Sequence, residues 1–184
     1  TIKENSYVSG NTATNGHGGG IYSYSRLSSV VNVLNSTFGI LEDNVTAAAN
    51  TAKVHGGAIY SVASNYNQND NSTAVIASNS SIVLIQDSIL SNNVAQTGAG
   101  GAIFNQSYIK AIDQTHTTNT TSASVTIENS TLNNNQATTA GGAVYNRSYT
   151  YISRSHGNGT TTYLITANAT ATMVIHNSDF DKNI

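Results

Sequence analysis

The sequence predicts a parallel β-solenoid, because two short motifs recur in fixed phase and because helix signals are poor throughout. Glycine, glycine, a small residue, a β-branched aliphatic and an aromatic recur at residues 18–22, 56–60, 100–104 and 141–145. A second motif, Ser-x-apolar-x-x-Asn, starts at Ser6, Ser36, Ser88, Ser130 and Ser178. Such repeats are typical of chains that wind in coils. Gly, Asn, Ser, Thr and Val disfavour helix interiors.

Each coil is predicted to have three short strands. Alignment on the second motif gives aliphatic columns two residues apart, and period-2 alternation points one side of each strand inward. We therefore expect a Gly-Gly strand, a Val-x-Ile strand and a Ser-x-Phe/Leu strand in every coil. The predicted core columns are Val31, Val83, Val125, Met173; Val33, Ile85, Ile127, Ile175; Phe38, Leu90, Leu132, Phe180; and Ile21, Ile59, Ile103, Val144. A β-sandwich would not need the same five residues four times.

The bends between strands are assigned to glycine and asparagine. Glycine reaches positive φ without a Cβ clash, and asparagine tolerates the left-handed region. Stacked asparagine amides can also hydrogen-bond along the axis. The expected ladder is Asn11, Asn44, Asn93, Asn135 and Asn183. Asn44 belongs to the copy of the second motif that starts at Ser36, which is three residues longer than the others. Ile2 falls one residue out of register, so we expect a frayed entry coil.

Loops of unequal length are expected after each aromatic, on one side of the rod. They cover about 23–29, 61–74, 105–124 and 146–172. The last has a hairpin pattern, with 149–152 and 162–165 on either side of a turn at 156–159. Two roles stay open for these loops: packing over the outward aromatics Tyr22, Tyr60, Phe104 and Tyr145, or a recognition and assembly surface.

The paired GGA[I/V] and [F/L]xxN motifs resemble the repeats of the polymorphic outer-membrane proteins, best known from chlamydial surface proteins. The resemblance extends over nearly the whole chain. It implies a right-handed parallel β-helix at a cell surface that acts as an adhesive or structural domain. The chain departs from the family pattern in its long loops and in the replacement of Phe in three of five copies.

Composition narrows the classes of partner and compartment. The net charge is −2 and charged residues make up 9% of the chain, so the sequence gives no sign of a nucleic-acid partner. No stretch of about 18 apolar residues occurs, so we predict no membrane span. There is no Cys, which leaves neither disulfides nor thiolate metal ligands.

Catalytic and metal sites are expected to be absent, and no cofactor is predicted. Glycoside hydrolysis usually needs two opposed carboxylates. The acids Glu42, Asp43, Asp87, Glu128, Asp179 and Asp181 form no defensible cluster across neighbouring coils. Glu128 and His176 share a column, and His17 and His55 could stack as an incomplete metal site, with Ala99 and Ala140 at that place in later coils.

Glycosylation is a further prediction. Ten Asn-x-Ser/Thr sequons occur, a modest excess over chance in so Asn-rich a chain. The candidates for glycans are Asn71, Asn119, Asn158, Asn168, Asn105 and Asn146, of which the first four are expected in exposed loops. Asn35 and Asn129 lie in the repeat motif and are assigned to turns.

The function predicted from these observations is structural or adhesive and non-enzymatic. Residues 1–184 form a single β-helix domain, which is a segment of a longer solenoid or a subunit that stacks end to end on copies of itself. Host surface receptors or glycans are the expected partners, and the expected location is extracellular or at the cell surface. The alternative is a carbohydrate-binding or carbohydrate-cleaving β-helix of tailspike or lyase type.

Overall fold

The fold is an all-β parallel helix. The computed structural model describes residues 1–39, 48–68, 75–112, 116–153 and 164–184, and every regular element among them is a strand. All strand pairs in these residues are parallel, and each strand pairs with its counterparts in the neighbouring coils. The prediction of a parallel β-helix is therefore confirmed.

In the described residues, four coils carry four strands each, and a seventeenth strand begins the next coil. The first coil contains β1 Tyr7–Val8, β2 Thr12–Ala13, β3 Ile21–Ser25 and β4 Ser28–Leu34. The second contains β5 Thr37–Gly39, β6 Thr51–Ala52, β7 Ile59–Gln68 and β8 Val75–Gln86. The third contains β9 Ile89–Ser91, β10 Val94–Ala95, β11 Ile103–Ile112 and β12 His116–Glu128. The fourth contains β13 Thr131–Asn133, β14 Gln136–Ala137, β15 Val144–Ser153 and β16 Leu164–His176, and β17 is Asp179–Asp181.

The strands stack into four sheets, one more than the three strands per coil predicted. The sheet orders are β1-β5-β9-β13-β17, β2-β6-β10-β14, β3-β7-β11-β15 and β4-β8-β12-β16. The additional sheet has strands of only two residues. A strand that short shows no alternation, which is why the sequence pattern did not reveal it.

The segments expected to be long loops are mostly strand. β11 continues to Ile112 and β12 begins at His116, so most of the range 105–124 is paired with the coils on either side. The same holds for β7, β8, β15 and β16. The expected hairpin is replaced by β15 and β16, which lie in different sheets; its turn at 156–159 lies outside the described residues.

The core consists of the predicted columns, stacked like over like. The last members of three columns, Met173, Ile175 and Phe180, are exposed, contrary to the prediction. Val83 pairs with Val125, Ile85 with Ile127 and Leu90 with Leu132. All six side chains are fully buried. Parallel in-register stacking repeats the packing of one coil in the next, so each column forms a continuous apolar row.

The two glycines of the repeat are required for different reasons, as the third coil illustrates. Gly100 has φ +71°, the left-handed conformation that a bend here requires. Gly101 lies so close to the next coil that a Cβ atom would collide with the carbonyl oxygen of Gly142. The first glycine therefore turns the chain, and the second allows two coils to approach.

The asparagine ladder exists, with Asn50 in place of the predicted Asn44. The Nδ2 atom of each member donates to the Oδ1 atom of the next at 3.0 Å, from Asn11 through Asn50, Asn93 and Asn135 to Asn183. The second coil has a longer insertion than expected between Phe38 and this position, and Asn44 lies outside the described residues. The bends fall one residue earlier, at Asn92, Asn134 and Lys182, which have positive φ.

The entry coil joins the stack and is not frayed at Ile2. Ile2 forms a parallel bridge with Val33 and packs against the core. Glu4 and Asn5 both have positive φ, at 62° and 59°, whereas only Asn35 does so at the corresponding bend of the next coil. The extra bend residue absorbs the one-residue offset in the sequence.

Candidate functional site

The candidate site is a projection from the coils, which we call the arm. It is formed by residues 61–68 and 75–82, 105–112 and 116–124, and 146–153 and 164–172 of three successive coils. In the arm, the sheet containing β7, β11 and β15 faces the sheet containing β8, β12 and β16. Alternate residues point into the space between the sheets, and the others point to solvent.

The arm interior is made mostly of small and polar side chains. Ala63, Ser107, Ala111, Asn119 and Ala123 are all fully buried. Ile109 is a large buried residue there, but it lies in register between Asn65 and Thr150. Mixed columns of this kind bury less apolar surface than the coil columns do, so the arm gains less from the hydrophobic effect.

A chain of buried hydrogen bonds closes the junction between coil and arm. The hydroxyls of Ser29, Ser61 and Ser81 are linked at 2.9 and 3.0 Å. The Ser81 hydroxyl donates to Oδ1 of Asn105 at 2.7 Å, and Nδ2 of Asn105 donates to Oδ1 of Asn146 at 2.9 Å. These polar side chains are buried at the point where the two sheets separate into the arm. Their mutual hydrogen bonds compensate for the loss of contact with water.

The outer surface of the sheet containing β3, β7, β11 and β15 is aromatic, and we call it the tyrosine face. Tyr22, Tyr60, Phe104 and Tyr145 stack in one row, with ring centroids 5.1 to 5.2 Å apart. Tyr108 and Tyr149 stack in a second row at 5.2 Å. Burial raises the pKa of Tyr60 above its ordinary value, and the neighbouring Tyr22 adds to the rise.

The predicted stacking of the two histidines is confirmed. The rings of His17 and His55 lie 5.2 Å apart. Each also stacks on an aromatic of the first row at 4.4 Å, His17 on Tyr60 and His55 on Phe104. Burial lowers the pKa of both imidazoles, and His17 lowers that of His55 further. The pair therefore covers aromatic rings, and two of the expected outward aromatics, Tyr60 and Phe104, are buried.

Two cations lie among the tyrosines. The Lys110 ammonium is 5.2 Å from the ring centroid of Tyr66 and 5.9 Å from that of Tyr151. The Arg147 guanidinium is 4.2 Å from the ring centroid of Tyr149. Burial raises the pKa of the Tyr149 phenol, and Arg147 opposes that rise.

The opposite surface of the arm, which we call the hydroxyl face, differs in chemistry. Thr118 and Thr166 are register neighbours on it, as are Thr120 and Asn168, and all four side chains are exposed. Both arm faces are parallel sheets, and their side-chain chemistry distinguishes them.

The sequon residues are distributed between the interior and the surface. The prediction that Asn119 lies in an exposed loop is wrong: it is in β12 and fully buried, because alternate residues of that strand point into the arm. Asn105 is also fully buried, and the nitrogen to which a glycan would be attached is engaged in hydrogen bonds. Asn146 is half-buried and Asn168 is exposed, whereas Asn71 and Asn158 lie outside the described residues.

The two turn asparagines have the expected geometry. Asn35 and Asn129 both have positive φ, at 46° and 47°. Each precedes the serine of the second motif, which is the position of a bend between strands. Their role in turns is confirmed.

The acidic and metal-ligating residues are dispersed over the described chain. Glu128 and His176 are register neighbours, and the ion pairs found in the described parts are Lys3–Glu4 and Lys182–Asp181. No group of three or more metal-ligating side chains occurs among those residues. Glu42 and Asp43 fall outside them. In the described ranges no helix has the length and apolarity to cross a membrane.

Comparison with known proteins gives one family. A family model of the Chlamydia polymorphic membrane protein (Chlamydia_PMP) repeat matches residues 87–106 and 129–147. No curated protein and no solved structure matched. Each matched segment runs from the bend before the second-motif serine to just past the outward aromatic. Two segments of the third and fourth coils therefore match the polymorphic membrane protein repeat, which confirms the resemblance of these motifs to that family and supports a surface protein in coarse terms.

Proposed function

We propose that the chain is a non-enzymatic domain of an extracellular or cell-surface protein, in which the coils form a rod and the arm binds a host surface receptor. The repeat match supports a surface location. The observation that carries the adhesive role is the aromatic outer surface of the arm, where Tyr66 and Tyr151 are each about half exposed. Tyrosine is enriched at protein interfaces, where it supplies apolar area together with a polar group.

The outward residues of the arm take no part in the packing of the core. Coil packing requires like residues over like, as in Leu90 over Leu132. The outward positions of the arm are under no such demand, so their side chains can serve a partner. A rigid scaffold that carries variable surfaces is the usual arrangement in solenoid proteins that bind ligands.

The open edge beside β16 and β17 is proposed to accept another strand layer, supplied by further coils or by a second copy of the chain. Met173, Ile175 and Phe180 are 51%, 45% and 38% exposed, although their counterparts in the coil before, Val125, Ile127 and Leu132, are fully buried. They border an open hollow of about 430 Å³. An apolar row next to unpaired strand edges is a template for another strand layer.

Location and adhesion can be tested separately. Antibodies raised against the chain should label intact cells that produce the protein, and latex beads coated with the chain should adhere to epithelial monolayers. Beads coated with heat-unfolded chain are the matched control. Labelling only after permeabilisation, or equal adhesion of both bead types, would contradict the proposal.

A polysaccharide assay tests the alternative. If the domain cleaved carbohydrate, purified chain would release reducing ends from polysaccharides. We expect no release. A release that is lost on heating would replace the adhesive proposal with an enzymatic one.

A further inference from the structure

Aromatic residues are concentrated on the tyrosine face. The chain has ten tyrosines, and eight of them lie on this one surface together with Phe104. Those eight are Tyr22, Tyr24, Tyr60, Tyr66, Tyr108, Tyr145, Tyr149 and Tyr151. Packing accounts for Tyr60 and Phe104, which are 8% and 4% exposed. It does not account for the half-exposed tyrosines around them.

The arrangement of the rings determines what the face can offer. Tyr108 and Tyr149 are parallel within 6°, and Tyr22 and Tyr60 are parallel within 9°. The ring faces of such pairs are turned towards one another, so the surface presents ring edges and phenol hydroxyls. The edge of an aromatic ring carries partial positive charge.

The ionised groups on this face have one sign. Strands β3, β7, β11 and β15 contain Lys110 and Arg147 but no aspartate and no glutamate. In the described part of the chain, neither cation has a carboxylate within ion-pair distance. Both are held over tyrosine rings, and this contact orients the charge while leaving it available to a partner.

We propose that the tyrosine face binds an acidic protein segment, whose carboxylates contact Lys110 and Arg147 while its apolar groups pack among the tyrosines. The proposal rests on the proposed function and specifies the partner of that site. A strand of ten residues is about 33 Å long, which matches an extended segment of about ten residues. Arginine and tyrosine are enriched among the residues that dominate binding energy at protein interfaces.

Two other occupants fit less well. A sugar ring that stacks on an aromatic needs an open ring face, and the rings of Tyr108 and Tyr149 cover one another. A second copy docking through the same face would bring Lys110 and Arg147 towards their own counterparts, and like charges brought together in an interface are unfavourable.

Panning of a display library against the immobilised chain tests the proposal. The probe is a random twelve-residue peptide library, followed by affinity measurement for the enriched peptides at low and high salt. We expect enrichment of Asp and Glu. The double variant Lys110→Gln/Arg147→Gln should weaken binding about tenfold or more, and so should high salt. Tyr151→Ser should weaken binding as well, because it removes an exposed ring beside Lys110.

The matched control removes the same charge elsewhere. Lys3→Gln/Lys182→Gln alters two exposed lysines away from this face and should leave affinity unchanged. Peptides without acidic residues, equal loss in both double variants, or selective binding of glycans instead of peptides would overturn the proposal. Circular dichroism and thermal melting confirm that each variant is folded.

The bead assay separates this inference from the proposed function. If beads coated with Lys110→Gln/Arg147→Gln adhere as well as wild type, the two cations take no part in adhesion, so the acidic-segment proposal fails while the adhesive function stands. If wild-type beads fail to adhere, the proposed function fails, whatever the peptide selection gives.

Discussion

The coil and the arm share two sheets but are stabilised differently. A coil column such as Phe38, Leu90 and Leu132 is apolar at every level and fully buried. The arm column Asn65, Ile109 and Thr150 changes character at each step. Parallel stacking therefore fixes the backbone in both regions, but only the coil repeats its side-chain packing.

Hydrogen bonding shows the same contrast. In the coil, Nδ2 of Asn93 donates to both Asn135 and the carbonyl of Phe38. In the arm, Oδ1 of Asn79, Oγ of Ser107 and Oγ1 of Thr150 are buried without a hydrogen-bond partner. Each such group costs free energy. We infer that the coil supplies most of the stability and that the arm contributes mainly a surface.

The largest expected effect comes from breaking the asparagine ladder. Asn93→Ala removes one of the two acceptors of Asn50 Nδ2, which keeps the Val8 carbonyl. It also removes the amide donor that the Phe38 carbonyl and Asn135 Oδ1 share. An unsatisfied buried group costs about 1–3 kcal/mol, so the free energy of unfolding should fall by about 4 kcal/mol, as measured by urea denaturation. A fall below about 1 kcal/mol would show that the ladder is not the main polar support of the coil.

The next effect compares one buried aliphatic from each region. Leu90→Ala should destabilise the chain by about 3 kcal/mol, because it leaves an empty cavity in an apolar column. Ile109→Ala should destabilise it by about 2 kcal/mol, because polar neighbours in the arm can hydrogen-bond a water molecule in the cavity. Both side chains are fully buried in the native chain. Urea denaturation of the two variants measures the difference. A larger loss for Ile109→Ala would reverse the assignment of stability.

A smaller effect is expected at Ser107. Its hydroxyl is buried without a hydrogen-bond partner. Ser107→Ala removes this unsatisfied polar group, so it should raise the free energy of unfolding by less than about 1 kcal/mol. Thermal melting measures the change. Ser88→Ala in the coil is the matched control, because that hydroxyl donates to the Gln86 carbonyl at 2.6 Å and accepts from the Ser36 amide. It should be destabilising, and the reverse order would contradict the comparison.

The smallest effect is a pH dependence at the histidine pair beside the coil. Burial lowers the pKa of His17 and His55 from the ordinary value of 6.5. The unfolded chain therefore binds more protons in this range, so stability should fall as pH drops below about 6.5 and should not vary from this source at higher pH. Melting temperatures of the native chain and of His17→Asn/His55→Asn from pH 8 to 5 give the test. An identical slope in both would exclude the pair as the cause.

The coil could be predicted from the sequence because its periodicity is explicit. Val83 over Val125 and Ile85 over Ile127 follow from aligning the motifs. The position of Asn50 could not be predicted, because an insertion of unknown length separates it from Phe38. The pairing of Ile2 with Val33 could not be predicted, because an alignment of the motifs does not show that Glu4 and Asn5 both form the bend.

The arm could not be predicted because most of its inward positions carry small or polar side chains, as at Ala63, Ser107 and Asn119. In strand β12, His116 is followed by a run of Thr, Asn and Ser, a composition typical of loops. Its alternation becomes visible only when burial is known, with Asn119, Thr121 and Ala123 inside and Thr120 outside. The stacking of Tyr108 on Tyr149 likewise depends on a register that is set by the coil.

Hydrogen–deuterium exchange of the native chain tests the division between coil and arm most directly. Local opening is expected where few apolar contacts are buried. We expect the slowest exchange at Ile89–Ser91 and Thr131–Asn133 and measurably faster exchange at the amides of 106–112 in the arm. Equal protection in both regions, or slower exchange in the arm, would contradict this division.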